Sequence, residues 1–220
     1  MSGHFPTIAR RRLATALSVC WLLATAYAFW WFQLRNLQPF DPDAASRTVL
    51  FEARQINTAL SALLSDTPVT ADADRQNMAT VIHFWDPACP CSRFNERHVR
   101  DIVSGYRDRG IRFVVIARAG HGLTHDALAT RARAAFGDAV QLMDAPTGTL
   151  TDLTPSSPAT AILDAEGELA YFGPYSTGAL CTSTTGVFAE RVLDQLLLGH
   201  NPQQWNTWAS GCFCSWNRRA

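Results

Sequence analysis

Cys89 and Cys91 stand one residue apart in FWDPACPCSRFN, residues 84–95, and Cys212 and Cys214 repeat that spacing in GCFCSWN, residues 211–217. Paired cysteines at short spacing do one of two things. They exchange electrons as a dithiol and disulfide, or they offer thiolates to a soft metal. A thiol at the start of a helix suits the first, because the free N–H groups and the helix dipole favour the thiolate. Cys89 is placed for this: it follows an apolar stretch and precedes Pro90, a residue suited to a first helical position. Within a helix, positions i and i+3 share a face, which relates Cys89 to Ser92, while Cys91 points roughly 200° away from Cys89. A Cys89–Cys91 bridge therefore requires Cys89 off the helix and closes a small ring. If that bridge does not form, Cys89 acts alone with Ser92 as a local donor, and Cys91 pairs elsewhere or is buried. The tail cysteines could resolve a mixed disulfide at Cys89 or supply thiolates to a metal. Cys181 could form a structural staple with Cys212 or Cys214.

Other side chains add less. His83 alternates within an apolar run and is expected to pack or hydrogen-bond there. His98 lies two helical turns past Cys91, and Gly122 argues against His121 and His125 as a helical ligand pair. No His–Cys set has the spacing of a zinc site. The metal alternative is instead Cys89, Cys91, Cys212 and Cys214 together, holding Cu(I). Trp85 is expected to pack, and Asp86 to cap a turn or tune the local proton balance. A peroxidase reading wants a Thr three residues before the Cys; Asp86 is there.

The N-terminus sets the compartment. Leu13 to Phe32 runs without a charge, preceded by Arg10, Arg11 and Arg12 and closed by Trp30 and Trp31. Such a stretch is about 30 Å long as a helix, enough to cross a bilayer, with the aromatic pair at an interface. The basic flank puts the N-terminus in the cytoplasm and the rest outside. A cleaved signal peptide is the alternative, but the apolar run is long and no small-x-small site closes it. Cys20 falls inside the span as an apolar filler. The five later cysteines then lie where disulfides persist, and their odd number leaves one without a partner. The formal net charge is zero and every basic residue is Arg. Outside the N-terminal triplet there is no basic run, so no nucleic-acid partner is expected.

The remaining elements follow from periodicity. The segmentation is a cytoplasmic N-terminus at 1–12, an anchor at 13–34, a tether with an extra helix (51–64) at 35–75, a main domain at 76–198 and a cysteine-containing tail at 199–220. In the main domain, ATVIHFW (79–85) and IRFVVIA (111–117) read as strands buried on both faces. Helices are expected at about 90–108, 124–136 and 186–198. AVQLMD is a short strand, and ATAILD with ELAYFG forms a hairpin around Ala165-Glu166-Gly167. This order predicts an α/β domain, a mixed sheet covered by helices.

Three stretches carry a resemblance. VIHFWDPAC, LMDAPTG and SSPATAILDAEGELAYFGPY together resemble the thioredoxin fold, specifically the membrane-tethered thiol–disulfide oxidoreductases of bacterial envelopes, over roughly residues 76–198. The chain also resembles a bacterial family of tethered domains with the same Cys-Pro-Cys and a cysteine-bearing tail, from which no activity carries over. The oxidoreductase resemblance implies that Cys89 is the attacking thiol and that Pro158 is a cis-proline facing it. It also implies that Ser157 and Ala159 line a surface for an extended partner chain. The departure is Ser92, which stands where the second cysteine of that family's turn would be.

The expected protein is thus a single-span protein of the bacterial inner membrane with a periplasmic thioredoxin-like domain. It would exchange disulfides with protein or small-molecule thiols through Cys89, resolved by Cys91 or a tail cysteine, with no organic cofactor. The alternatives are an envelope copper chaperone using the Cys-x-Cys pairs, and a non-catalytic adaptor that only docks a partner.

Overall fold

The computed structural model describes residues 7–41, 56–58, 60–61, 64, 78–118, 122–144, 154–176, 187–205 and 209–216, the side chains of 7–9 and 33–36 excepted. It divides into two units, Met1–Leu37 and Gln38–Ala220. The first is one helix, α1 (Thr7–Asn36). Its stretch Arg10–Phe32 is long and apolar enough to cross a membrane. Leu13, Trp21, Leu23 and Phe29 are all more than 60% exposed.

The second unit is built on a five-stranded sheet. After β1 (Leu37–Pro39) come β2 (Ala79–Trp85), α2 (Pro90–Tyr106), β3 (Ile111–Ala117), α3 (His125–Phe136) and β4 (Val140–Asp144). Then follow β5 (Ser156–Ser157), β6 (Ala159–Asp164), β7 (Leu169–Gly173), α4 (Phe188–Leu197), β8 (Ser210–Cys212) and β9 (Cys214–Ser215). The sheet order is β4-β3-β2-β6-β7, with β2, β3 and β4 parallel and β6 and β7 antiparallel. This mixed sheet with flanking helices is the thioredoxin-like arrangement expected from the motifs. The helices fall within two or three residues of their expected limits; a 3-10 turn, Arg107–Arg109, finishes α2 before Gly110 takes a left-handed φ of 75°.

The unbroken apolar runs of β2 and β3 have a plain cause: both faces of the sheet are covered. Val81, Trp85, Phe113 and Val115 enter one cluster with Val99, Ile102, Leu128, Phe136, Val192 and Leu196 from the three helices α2, α3 and α4. Ile82, Phe84, Val114 and Ile116 face the other way. They meet Phe40, Ile56, Leu60, Phe213 and Trp216. Among the described residues α2, α3 and α4 lie on one side, and the segments flanking the expected 76–198 domain build the second layer. Residues 56–58, 60, 61 and 64 are helical, and the Phe40 N–H donates to the Ala209 carbonyl at 2.8 Å. The tether and the tail of the sequence reading are therefore parts of the same core.

His83 shows what that two-sided burial does to a titratable group. It sits in β2 with its Nδ1 2.9 Å from the Tyr175 hydroxyl, edge-on to Phe136 and Tyr175. Burial pushes its pKa down from 6.5 to about 3, offset in part by the backbone at Ala159. The folded chain thus stays neutral here while the unfolded chain takes up a proton below pH 6.5. Stability from this site is complete above that pH and falls by about 1.4 kcal/mol per unit as pH drops towards 3. In denaturant titrations at pH 4–7, His83→Gln keeps a hydrogen-bonding side chain and is expected to flatten the profile by that slope. An unchanged slope would place the acid sensitivity elsewhere.

Candidate redox site

The turn before α2 is held on several sides. Asp86 is buried, and its Oδ1 accepts the Ala88 N–H at 2.9 Å while its Oδ2 meets Arg118 at 3.1 Å. The Cys89 N–H donates to the Asp86 carbonyl at 3.0 Å. Of the two roles considered for Asp86, the structure shows the turn-capping one, with Arg118 neutralising the buried carboxylate. Cys89 is the N-cap of α2 with extended φ and ψ, no side chain caps the helix end, and Pro90 follows. With no acidic residue in the first turn of α2, the positive end of the helix faces Cys89 without a competing charge from that turn.

Ser157 ties this turn to the hairpin. Its hydroxyl oxygen accepts the Asp86 N–H at 3.1 Å, lies 3.2 Å from the Phe84 carbonyl, to which it donates, and pairs with the Ser92 hydroxyl at 2.8 Å. The Ser157 carbonyl lies 3.7 Å from the Cys89 sulfur, and the Ser157–Pro158 peptide is cis. Pro158 is thus beside Cys89, where the resemblance implied. The Ser92 hydroxyl is engaged by Ser157 rather than by Cys89. The sequence offered Ser157 only as a lining residue; its place as the common partner of Asp86, Ser92 and β2 comes from the fold.

The sulfurs settle the largest open question. Cys89 is bonded to Cys214 and Cys91 to Cys212, with Cα–Cα separations of 6.1 and 5.4 Å. Of the two alternatives left open, a Cys89–Cys91 bridge or Cys91 paired elsewhere, the structure has the second, and a staple from Cys181 to Cys212 or Cys214 is not formed. Cys181 lies outside the described residues. Cys89, the N-cap, lies off the helix; the tail passes both cysteines in extended form, and its alternate residues Cys212 and Cys214 take one each. Cys212 ends β8 and Cys214 opens β9, which is antiparallel to β5 with Ser157 opposite Cys214 and Ser156 opposite Ser215; the Trp216 backbone N–H donates to the Pro155 carbonyl at 3.0 Å. Phe213, between the cysteines, turns into the core against Phe40, and Trp216 meets Phe84 edge-on at 5.9 Å.

Cys89, Cys91 and Cys212 are buried, and Cys214 is half-buried. The Cys89, Cys91 and Cys214 sulfurs all lie within 4.8 Å of one another. Such a cluster can rearrange its disulfides or, once reduced, offer soft donors to a metal. Neither His83 nor His98 joins it. His83 is bonded to Tyr175, and His98 meets Glu190 at 2.6 Å. Trp85 packs on Phe136, as expected of it. His121 lies outside the described residues, and His125 opens α3.

Comparison with known proteins gives the family and supports the fold. The family described as a domain of unknown function, DUF6436, matches over residues 58–216. A hypothetical protein from Sinorhizobium meliloti 1021 aligns at TM-score 0.54 and 16% identity, covering 67% of this chain and 84% of its own. An uncharacterized conserved protein from Geobacillus kaustophilus aligns at 0.53 and 20%, covering 70% and 85%. A secreted Mycobacterium tuberculosis disulfide oxidoreductase homologous to E. coli DsbE aligns at 0.38 and 17%, covering 58% and 86%. No curated protein matches the chain.

Proposed function

The chain belongs to the DUF6436 family, and from its site we propose that it exchanges thiols and disulfides with protein or small-molecule partners through the Cys89–Cys214 pair. The observation that carries this reading is the position of that disulfide. One sulfur belongs to the N-cap of α2, next to the Ser157 carbonyl, and the other to a strand lying on Ser156–Ser157. In the reduced chain the helix end favours Cys89 as thiolate, the form that attacks; in the oxidised chain it makes Cys89 the better leaving group. Cys214 is the resolving thiol. Cys91, considered for that role from sequence, is occupied by Cys212. The apolar helix α1 supports a membrane anchor, and the arginines before it support a domain on the extracytoplasmic side, where disulfides persist.

The test is a redox titration of the full chain in detergent micelles, in glutathione buffers, with thiols trapped by alkylation and mapped by mass spectrometry. Cys89 and Cys214 are expected to convert together and reversibly. Cysteines that stay oxidised until the fold is lost would make the pair a structural staple and leave the non-catalytic adaptor as the reading.

A second reading rests on the sulfur cluster. Three sulfurs within 4.8 Å, with Cys212 bonded to one of them, would give reduced chain up to four thiolates for Cu(I), a soft ion that prefers such donors. The ligands would be Cys89, Cys91, Cys212 and Cys214. The disulfides must open first, so the two readings separate by order: bound Cu(I) should protect these cysteines from alkylation in the reduced chain only.

A further inference from the structure

The exchange reading uses one disulfide and leaves the other without a role. We propose that the two form a relay, in which an external dithiol opens Cys89–Cys214 at Cys214 and the reducing equivalents then pass inward to Cys91–Cys212. The relay rests on the exchange reading and extends it to a site that takes up two dithiols' worth of electrons.

Three observations carry it. Cys91 is 5% exposed, Cys212 4% and Cys89 2%, so Cys214 is the one cysteine of the four that is not buried. The tail strand itself fills the edge at Ser156–Ser157 and is anchored there by Phe213 and Trp216, so an incoming thiol meets Cys214 before Cys89. The Cys91 sulfur, one end of the inner disulfide, lies within 4.8 Å of both sulfurs of the outer one.

The steps balance. A thiolate of the external dithiol attacks the Cys214 sulfur; the bond to Cys214 forms, Cys89–Cys214 breaks, and Cys89 leaves as the thiolate favoured at the helix end. The second external thiol attacks its own partner's sulfur in that mixed disulfide. The external molecule departs as a disulfide, and Cys214 is released as thiolate. Cys89 then attacks the Cys91 sulfur, forming Cys89–Cys91 and expelling Cys212, which takes a proton. Cys214 attacks the Cys89 sulfur, restores Cys89–Cys214 and expels Cys91, which takes a proton. The external dithiol has been oxidised, Cys91 and Cys212 hold its two electrons and two protons, and the outer disulfide is ready for a second dithiol.

The experiment mixes oxidised full chain in detergent micelles with dithiothreitol at a range of concentrations, followed by acid quench, alkylation and mapping of each cysteine. Opening of Cys89–Cys214 is expected to rise in proportion to dithiothreitol. Opening of Cys91–Cys212 should follow it and level off at a rate set within the chain. At the highest dithiothreitol concentrations, where external attack outruns the internal steps, an inner pair that opens before the outer one overturns the relay, as does an inner pair that at all concentrations opens in proportion to dithiothreitol or stays closed. In the double variant Cys89→Ser/Cys214→Ser, the inner pair should open at least about tenfold more slowly, since its route is gone; an unchanged rate also overturns it. The wild-type kinetics decide the matter even where that variant fails to fold. If Cys89–Cys214 itself does not open in the native chain, the exchange reading falls as well. If it opens and reseals while the inner pair reacts directly, the relay falls alone.

Discussion

Removing either disulfide alone is expected to cost little stability, and removing both to cost far more than twice as much. The two bonds join the same two places, since their partners are 125 and 121 residues apart and their ends lie two residues from each other. In the chain-entropy account, a cross-link closing a loop of that size contributes about 5 kcal/mol, while one closing a ring of a few residues contributes about 2 kcal/mol. Whichever bond is cut first, the other still closes the long loop, so the first cut costs about 2 kcal/mol and the second about 5 kcal/mol. The measurement is a cycle of denaturant unfolding on the wild type, Cys89→Ser/Cys214→Ser, Cys91→Ser/Cys212→Ser and the quadruple variant. A coupling of about 3 kcal/mol between the pairs is expected. A quadruple variant whose loss equals the sum of the two pair losses would mean that the bonds act through local packing instead.

Trp216→Ala is expected to detach the tail from the site without touching a cysteine. Trp216 is 3% exposed and stands edge-on to Phe84, and its backbone N–H, which the substitution keeps, bonds the Pro155 carbonyl, so the loss is of the ring's packing alone. Emptying such a buried aromatic position costs about 3–5 kcal/mol. Part of that loss appears as a weaker hold on Cys214. Each 1.4 kcal/mol lost from docking lowers the effective concentration of Cys214 at Cys89 by about tenfold. After full reduction, re-formation of Cys89–Cys214 by oxidised glutathione should therefore slow by about 100-fold if 3 kcal/mol of docking is lost. Leu198→Ala is the control, because Leu198 is 76% exposed and should alter neither quantity. Wild-type closure in the Trp216 variant would show that the disulfides position the tail and the aromatic anchors do not.

Much of the fold was legible because its signals are local. The charge-free run in α1, the apolar stretches of β2 and β3, the hairpin around Gly167 and the amphipathic α4 each carry their periodicity within a short window. Cys89 before Pro90 could be read in the same way, since an N-cap is defined by its neighbours. The positions of Ser157 and Pro158 beside it came from resemblance, and Ser157's hydrogen bonds to Asp86 and Ser92 did not come from sequence at all.

What the sequence determined alone is the set of parts: a long apolar helix, a sheet whose central strands need cover on both faces, a thiol at a helix start, and a second Cys-x-Cys in the tail. What only the tertiary structure decided is their joining. Disulfide connectivity depends on which chain segments meet across more than a hundred residues, and no local pattern encodes that distance. The tail was read as an appendage because its apolar residues, Phe213 and Trp216, are too few to form a periodic pattern. They are buried because α2, α3 and α4 lie on the other face of the sheet, and this side of β2 and β3 is covered by Phe40, the helical residues Ile56 and Leu60, and the tail.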